Sequence, residues 1–347
     1  MAVVTIKMIK LFVAYLESGI RFTVDAGVAL LKQWLKLDTP IKCHCQNRVR
    51  GKVVIVTGSN SGIGNSTALD LARKGATVYL ACRSCKAGEA AARTLSKATG
   101  NLHVHFLHLD LTDFSSIQLF AQEFMKCEQR LDVLVNNAAI FHHPPILTCD
   151  ELDITYQTNY LGVFLLTTLL LDVIQRSTTP KIIFVSSESH KLVSLEDLSL
   201  FSPRQSRELK TFADHVKIYG LSKLALHLFA QYLTLTQPGV QVTLVDPGNV
   251  WTKIYRHSWQ LWSEIFTRLK CYIYMRSPEE GAESTIHALN APHIASGQYI
   301  DSNLNIEIKE NYDCEVVNQF IAKCAALVDL PRISPSFHLQ QLTPSDC

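Results

Sequence analysis

"VVIVTGSNSGIG", residues 53–64, is the stretch that decides the fold of this chain. Four apolar residues typical of a buried strand run directly into three glycines, Gly58, Gly62 and Gly64, and a helical pattern follows. Glycine at a strand-to-helix turn allows a tight bend and lets the backbone approach a pyrophosphate. The helix N-terminus then offers free N–H groups to the same anion. The stretch predicts a dinucleotide site, although its G-x-x-x-G-x-G spacing differs from the commoner G-x-G-x-x-G.

Strand and helix patterns alternate through the following two hundred residues or so. Five further apolar strands are predicted, at residues 77–81, 102–111, 131–139, 181–187 and 240–248. Short apolar strands that alternate with helices are typical of a parallel sheet covered on both faces. We therefore predict an α/β protein with a Rossmann-type, doubly wound parallel sheet.

Three segments follow from this pattern. Residues 51–330 are predicted to form a single dinucleotide-binding domain, and residues 1–50 precede it as an amphipathic segment. Residues 331–347 contain several Pro and Ser and are expected to be a flexible tail.

The end of the second strand indicates the type of dinucleotide. An acidic residue there would bind a ribose 2′-hydroxyl and repel a 2′-phosphate, but the sequence "ACRS" places Arg83 at this position. An arginine suits a 2′-phosphate through charge-assisted hydrogen bonds, and Ser59 and Asn60 in the glycine loop could assist. We therefore expect NADP(H) to be preferred over NAD(H). The alternative is that Arg83 is an ordinary surface arginine.

A second short pattern carries acid–base chemistry. In "KIYGLSKLAL", residues 217–226, Tyr219 and Lys223 are four positions apart and would share one face of a helix. A neighbouring ammonium favours phenolate, so the pKa of Tyr219 should fall from its usual value of about 10. A tyrosine tuned in this way can transfer a proton near neutral pH. Taken alone, the spacing could also be accidental, with Lys223 in solvent.

Six ordered motifs together resemble the short-chain dehydrogenases/reductases over residues 50–330. They are "TGSNSGIG", "NNAA" (136–139), "TNYLG" around Asn159, "VSS" (185–187), "YGLSK" (219–223) and "DPG" (246–248). Three longer stretches, "ACRSCKAGEAAA", "SSESH" and "DPGNVWTKIYRHSW", are similar to the retinol dehydrogenase-like branch. Within it, they resemble the WW-domain-containing oxidoreductases and the polyprenol dehydrogenase-type members, here without a WW domain.

The resemblance implies a role for each matching residue. Tyr219 would be the general acid/base, and Lys223 would lower its pKa and bind the nicotinamide ribose. Ser187 would hydrogen-bond the substrate oxygen, and Asn159 would anchor a proton-relay water. Ser186 is an alternative to Ser187, although the family places the role on the second serine.

The resemblance also implies a set of cofactor contacts. They are Gly58, Ser59, Asn60, Gly62, Ile63, Gly64, Arg83, Asp110, Leu111, Asn137, Tyr219, Lys223, Pro247, Gly248 and Thr252.

The implied activity is hydride transfer between an alcohol and a carbonyl with NADP(H). Residues 249–276 are rich in aromatic side chains, including Trp251, Trp259 and Trp262, with basic residues interleaved. Aromatic bodies with polar tips suit an apolar pocket or a membrane interface, although core packing is the alternative. We expect a small lipophilic alcohol or carbonyl, such as a retinoid, a polyprenoid or a steroid. The other hypothesis is a catalytically idle nucleotide-binding scaffold that acts through a protein partner.

Composition and cysteine pattern narrow the class further. With 47% hydrophobic and 18% charged residues the chain can bury a large core, and a net charge of +2 gives no reason to propose nucleic acid. Neither Cys82-x-x-Cys85 nor Cys43-His44-Cys45 has a second ligand pair at zinc-site spacing, so no metal is expected. We expect reduced, mostly buried thiols and hence a reducing compartment.

The first forty residues carry a helical apolar stripe. Its members recur at every third or fourth position: Ile6, Ile9, Val13, Leu16, Ile20, Val24, Val28, Leu31 and Leu35. Residues 1–50 hold eight Lys/Arg against three acidic residues, and Pro40 ends the pattern. A basic amphipathic helix of this kind can lie in a membrane interface. The alternative is that the stripe packs on the protein's own body or on a second subunit.

These features set the expected location. We expect a membrane-associated protein whose catalytic domain faces a reducing compartment, with the endoplasmic reticulum as one candidate and the cytoplasm as the alternative. A homodimer is left open, and whether the helix spans or lies on the membrane is not decided by its pattern alone.

Deletion of residues 1–40 should test the surface-bound arrangement. Burial of the apolar stripe is worth about 25 cal/mol per Å² of apolar area, enough for reversible attachment, whereas Glu17, Arg21 and Asp25 make a spanning register costly. We expect full-length protein to float with anionic liposomes at low salt. The truncated protein should stay soluble and still reduce a water-soluble carbonyl. If both forms float equally well, or if neither form floats, the helix is instead a packing or subunit-contact element.

Overall fold

The computed structural model describes residues 48–204, 211–256, 275–291, 293–307, 311–330 and 340–343. The predicted amphipathic segment, except residues 48–50, and the predicted tail, except residues 340–343, lie outside these residues. The strands are β1 (Val53–Thr57), β2 (Thr77–Cys82), β3 (Val104–His108), β4 (Val133–Asn136), β5 (Lys181–Val185), β6 (Gln241–Val245), β7 (Gln298–Ile300) and β8 (Ile306–Glu307). The helices are α1 (Gly62–Arg73), α2 (Cys85–Thr99), α3 (Phe114–Cys127), α4 (Ile154–Gln175), α5 (Leu195–Leu200), α6 (Phe212–Thr236), α7 (Pro278–Asn290) and α8 (Cys314–Leu327).

One eight-stranded sheet organises the chain, in the order β3-β2-β1-β4-β5-β6-β7-β8. Every pairing is parallel except β7 with β8, which is antiparallel. The predicted doubly wound Rossmann-type sheet is confirmed. The sequence predicted six strands and missed the last two, because β7 and β8 have only three and two residues and show no apolar alternation.

The two faces of the sheet are covered by different helices. Along β1, Val54 and Val56 pack in a cluster with α1, α2 and α7, whereas Ile55 packs in a cluster with α3, α4, α6 and α8. All three side chains are fully buried. Burial of each such side chain is worth about 1.5–3 kcal/mol, so the alternation along a single strand fixes both layers.

Helix α4 is the most apolar long helix of the described part of the chain. It has 22 residues, and its most apolar 18-residue window has a mean hydropathy of 1.3, which is enough in length and composition to cross a membrane. However, 89% of that window is buried inside the protein. It is therefore placed as a core helix. Residues Gln157–Leu161 within it form a π-helical turn, a feature that often marks functional positions.

The cysteines depart in part from the expectation of reduced, mostly buried thiols. Among the described cysteines, five are free, of which Cys82 and Cys324 are buried and Cys85, Cys127 and Cys149 are exposed. Cys314, by contrast, is disulfide-bonded, so for this residue the prediction was wrong. Sequence spacing alone does not show which cysteines the fold brings together.

Gly162 marks the closest approach of α4 to the chain after β3. A Cβ atom at this position would lie 2.5 Å from the carbonyl oxygen of Leu111 and 3.1 Å from that of Gln157. Neither backbone atom can move without shifting the sheet edge or the π turn, so only glycine fits there.

Gly162→Ala should therefore destabilise the protein by about 1–3 kcal/mol, since overpacking outweighs the gain in helix propensity of roughly 1 kcal/mol. Urea unfolding followed by circular dichroism measures the change. Gly239→Ala is the matched control, because nothing lies within 4 Å of a Cβ atom there. Equal midpoints for the two variants would show that α4 has room at Gly162.

Candidate active site

The carboxyl ends of β1 and β4 meet at the middle of the sheet. Strand β1 pairs with β2 on one side and with β4 on the other. The connections that follow β1 and β4 therefore leave towards opposite faces of the sheet, and a crevice opens between these two strand ends. Thr57 Oγ1 accepts hydrogen bonds from the N–H groups of Asn137 and Ala138, both at 2.9 Å. The Asn137 amide in turn donates to the Thr57 carbonyl at 2.8 Å. Asn137 thus holds the floor of the crevice together.

The glycine loop occupies the start of this crevice. Gly58 and Gly62 have φ of +66° and +59°, a left-handed conformation that favours glycine. A Cβ atom on Gly64 would lie 2.5 Å from the Asn137 amide nitrogen and 2.8 Å from the Gly58 carbonyl oxygen. Ser61 at the N-cap of α1 makes no capping hydrogen bond with its side chain, and the first turn holds no acidic residue. The N–H groups of this turn are therefore oriented to receive an anion.

A cavity of about 240 Å³ extends from this loop along the strand ends. Nine of the predicted cofactor residues line it: Gly58, Asn60, Gly62, Ile63, Arg83, Asp110, Leu111, Asn137 and Thr252. Three more, Tyr219, Pro247 and Gly248, line the neighbouring cavity. The remaining three predicted cofactor residues line neither cavity, namely Ser59, Gly64 and Lys223. Ser59 is fully buried, and its hydroxyl donates to the Val56 carbonyl at 2.7 Å.

The charged residues of the large cavity include two that the sequence reasoning missed. Arg83 lies at the expected place after β2, with its side chain 61% exposed and its Nε 4.0 Å from Asp110 Oδ2. Lys253 and Arg256, from the segment after β6, line the same cavity. The interleaved basic residues of that segment were noted in the sequence, but only the topology brings them to the end of β2.

A second cavity of about 160 Å³ adjoins the first and holds the predicted proton-transfer residues. Ser187 and Tyr219 both line it. Its walls share Ile63, Thr252 and Ile254 with the larger cavity, so the two cavities are adjacent. Ser186 also reaches this wall, but its hydroxyl is bonded to His227 Nε2 at 2.9 Å and is 2% exposed. The engaged side chain of Ser186 favours Ser187 as the substrate-facing serine.

Lys223 is buried beneath Tyr219, at only 2% exposure. Its ammonium donates to the Val185 carbonyl at 2.8 Å and lies 5.4 Å from the centre of the Tyr219 ring. Burial lowers the pKa of Lys223 to about 8, and the negative charge of Asp246 opposes that fall. The predicted shared helix face of Tyr219 and Lys223 is therefore present on α6, with the lysine in the interior and not in solvent.

The predicted lowering of the Tyr219 pKa is not what the structure gives. Burial raises the pKa of the phenol, and the neighbouring Tyr255 and Asp246 raise it further. Only hydrogen bonding with the Ser187 hydroxyl acts in the opposite direction. The prediction considered the ammonium alone and left out the cost of placing a phenolate in a desolvated site. Tyr219 is consequently held in its protonated form.

Asn159 lies in the π turn of α4 and joins that helix to the chain after β4. Its amide donates to the Ile140 carbonyl at 2.9 Å and to the Ser222 hydroxyl at 3.2 Å, and its carbonyl oxygen accepts from the Ile140 N–H at 2.8 Å. It is 1% exposed. These bonds fix the edge of the cavity that carries Ile140 and Phe141.

Asp246 was quoted only as part of a motif, yet it organises this end of the sheet. The carboxylate is 5% exposed and accepts from the Gly248 N–H at 2.8 Å, the Glu188 N–H at 3.2 Å and the Tyr299 hydroxyl at 3.2 Å. It lines the smaller cavity and acts electrostatically on both Tyr219 and Lys223.

Aromatic rings surround Tyr219 at the mouth of the smaller cavity. The ring of Phe141 lies 5.2 Å from that of Tyr219 and 6.0 Å from each of Phe212 and Tyr255. Phe141 and Phe212 were missed, because each is an isolated aromatic in its stretch of sequence. Of the predicted aromatic segment, Trp251 and Tyr255 are described, and residues 257–274, with the other predicted aromatics, lie outside the described residues.

Cys82 and Cys85 do not pair, and Cys82 lines the large cavity. Burial, with Cys85 nearby, raises the pKa of the Cys82 thiol to about 11. Within the described ranges, one group of possible metal ligands lies within 4.8 Å, namely Asp113, Cys149 and Asp150. Two of these carboxylates already accept hydrogen bonds from backbone N–H groups. Asp113 caps the N-terminus of α3, and Asp150 accepts from the Phe114 N–H at 3.0 Å.

Comparison with known proteins agrees with this geometry. Residues 52–196 match the model of the short chain dehydrogenase family. Retinol dehydrogenase 13 of Homo sapiens is 36% identical over 331 residues, which span 92% of this chain and 96% of that protein. The WW domain-containing oxidoreductase of Gallus gallus is 34% identical over 83% of this chain and 71% of its own length.

Solved structures agree on the fold. An uncharacterized protein from Mycobacterium paratuberculosis superposes with a TM-score of 0.59 at 28% identity, over 81% of this chain and 96% of that one. The crevice with its glycine loop, the Ser187–Tyr219–Lys223 constellation and these likenesses identify an oxidoreductase that uses a nicotinamide cofactor. The chain belongs to the short-chain dehydrogenase/reductase family, in its retinol dehydrogenase-like branch.

Proposed function

We propose that this protein interconverts an alcohol and a carbonyl on a small lipophilic substrate and prefers NADP(H) to NAD(H). The observation that supports it most is the junction of the two cavities at Ile63, Thr252 and Ile254. A cofactor that enters along the glycine loop would place its reactive end beside Tyr219 and Ser187. Ser187 and Tyr219, both predicted for catalysis, line the smaller cavity at this junction.

The cofactor, when bound, supplies the hydride, and the protein's own residues handle the proton. The Tyr219 phenol is held protonated by burial, which suits it to donate a proton to a carbonyl oxygen as that oxygen gains charge. The Ser187 hydroxyl lies beside it and is directed by the 3.2 Å bond to Ser189. Lys223 lies beneath the ring, with its ammonium 5.4 Å from the ring centre, where it would bind the nicotinamide ribose.

The protonation state also bears on reaction direction. Burial raises the pKa of the Tyr219 phenol, so the residue is protonated at neutral pH, which is the form that carbonyl reduction requires. Alcohol oxidation needs the phenolate, and the proposed route to it is through Lys223 and bound cofactor charge. We propose that Asn159 anchors a proton-relay water beside this site, while its side chain holds Ile140 and Ser222 next to Tyr219.

Three observations support a lipophilic substrate. Phe141 packs against Tyr219 and forms an aromatic cluster with Phe212 and Tyr255. The relatives are named as retinol dehydrogenases, which names a lipophilic alcohol for those proteins. The amphipathic stripe of residues 1–40, which lies outside the described residues, would bring the site to a membrane surface where such substrates dissolve.

Tyr219→Phe should abolish nearly all turnover while leaving the fold and cofactor binding intact. The ring keeps its packing against Phe141, and only the proton donor is lost. Loss of general acid–base catalysis costs typically 10²–10⁴-fold, which NADPH consumption with a panel of lipid aldehydes would register. Ser186→Ala is the matched control, because its hydroxyl is bonded to His227. Near-normal turnover in purified Tyr219→Phe would remove Tyr219 from the mechanism.

Arg83→Asp should weaken NADPH binding by about 10–100-fold and leave NADH binding equal or stronger, because attraction for the 2′-phosphate becomes repulsion. Quenching of protein fluorescence gives both affinities. Arg93→Asp controls for the change in net charge, since Arg93 lies on α2 with its side chain 71% exposed and pairs with Glu89. An unchanged ratio of NADPH to NADH affinity in Arg83→Asp would mean that Arg83 does not contact the phosphate.

A further inference from the structure

The large cavity carries two arginines that come from distant parts of the chain. Arg83 follows β2, and Arg256 follows the 3₁₀ turn Lys253–Tyr255 beyond β6. In the sheet, β1, β4 and β5 lie between β2 and β6, so the two arginines enter the cavity from opposite halves of the fold.

The backbone holds Arg256 in this position. The Trp251 N–H donates to the Arg276 carbonyl at 2.9 Å, and the Arg276 N–H donates to the Asn249 carbonyl at 2.8 Å. The Thr252 side chain lies over the glycine loop, 3.1 Å from where a Cβ atom on Gly62 would be. The Arg256 guanidinium bonds back to the Lys253 carbonyl at 3.1 Å. These contacts hold residues 249–256 beside the glycine loop and the cavity.

Basic side chains outnumber carboxylates among the described residues that line this cavity. Arg83, Lys253 and Arg256 line the cavity, and the only carboxylate among its lining residues in the described ranges is Asp110. The neighbouring positive charge of Arg83, together with burial, lowers the pKa of Arg256. Guanidinium groups that repel one another across a cavity are stabilised when an anion lies between them.

We propose that Arg256 binds the adenosine 2′-phosphate of the cofactor together with Arg83, and so is a second residue that determines specificity for NADP(H). This inference rests on the NADP(H) preference proposed above. Arg256 is less suited to bind the pyrophosphate, because the N–H groups at the start of α1, beneath Thr252, already offer hydrogen bonds to that group. Arg256 lines the same cavity as Arg83, and Arg83 follows β2, the strand whose end contacts the adenosine ribose in dinucleotide-binding folds.

Calorimetric titration with 2′,5′-ADP and with 5′-AMP separates the 2′-phosphate from every other part of the cofactor. The proteins compared are the wild type, Arg256→Gln, Arg256→Lys and Arg83→Gln, with Arg93→Gln as the control for lost surface charge. A charge-assisted hydrogen bond lost without structural change corresponds to about tenfold in affinity. We expect Arg256→Gln to weaken 2′,5′-ADP by about that factor and to leave 5′-AMP unchanged. Arg256→Lys should retain part of the affinity, since it keeps the charge but not the planar fork.

The outcomes distinguish a failure of the role of Arg256 from a failure of the proposed NADP(H) preference. If the wild type binds 2′,5′-ADP no better than 5′-AMP, the NADP(H) preference itself is wrong, and the role of Arg256 falls with it. If the wild type discriminates and Arg83→Gln loses that discrimination while Arg256→Gln keeps it, only the role of Arg256 is overturned. Equal loss of both nucleotides in Arg256→Gln would also overturn it, because the residue would then act on the nucleotide or the loop as a whole.

Discussion

The bonds between Thr57 and Asn137 are the constraint on which the site depends. One hydroxyl accepts two N–H groups from the chain after β4, and the Asn137 amide returns a bond to the Thr57 carbonyl. This fixes the separation of two strands whose connections leave towards opposite faces. Gly58 and Gly64 must then fit against Asn137 and Ala138, where a Cβ atom would lie 2.9 Å or less from the nearest atom. The glycines of the loop are thus required by the strand junction as well as by an incoming phosphate.

Burial is the second organising factor, and it acts on the chemistry. Lys223 and Asp246 are an interior cation and an interior carboxylate, each almost fully removed from water. Each is stabilised by hydrogen bonds, Lys223 by the Val185 carbonyl and Asp246 by two N–H groups and the Tyr299 hydroxyl. Removing one charge would leave the other uncompensated in a low-dielectric site, which is costly. The same desolvation holds Tyr219 protonated, so the fold sets the starting state for proton transfer.

The sequence predicted the parts whose signal is local. Strand β1, its glycine loop and the Tyr219–Lys223 spacing are contained within short windows, and the structure places each where expected. What it could not predict depends on topology. Arg256 reaches the cofactor cavity only because β6 ends beside it, and Phe141 meets Tyr219 only because Asn159 holds Ile140. The direction of the Tyr219 pKa was wrong for a related reason, since burial is a property of the whole fold and not of two residues on one helix.

A crystal structure of the protein with NADP⁺ bound is the most direct measurement of the central claim, that one crevice joins cofactor and proton donor. We expect the pyrophosphate on the N-terminus of α1, the 2′-phosphate beside Arg83 and the nicotinamide ring against the junction at Ile63 and Thr252. The reactive carbon should face the cavity lined by Ser187 and Tyr219. A nicotinamide ring bound away from Tyr219, or a cofactor that enters with its adenine at Tyr219, would contradict the proposed arrangement.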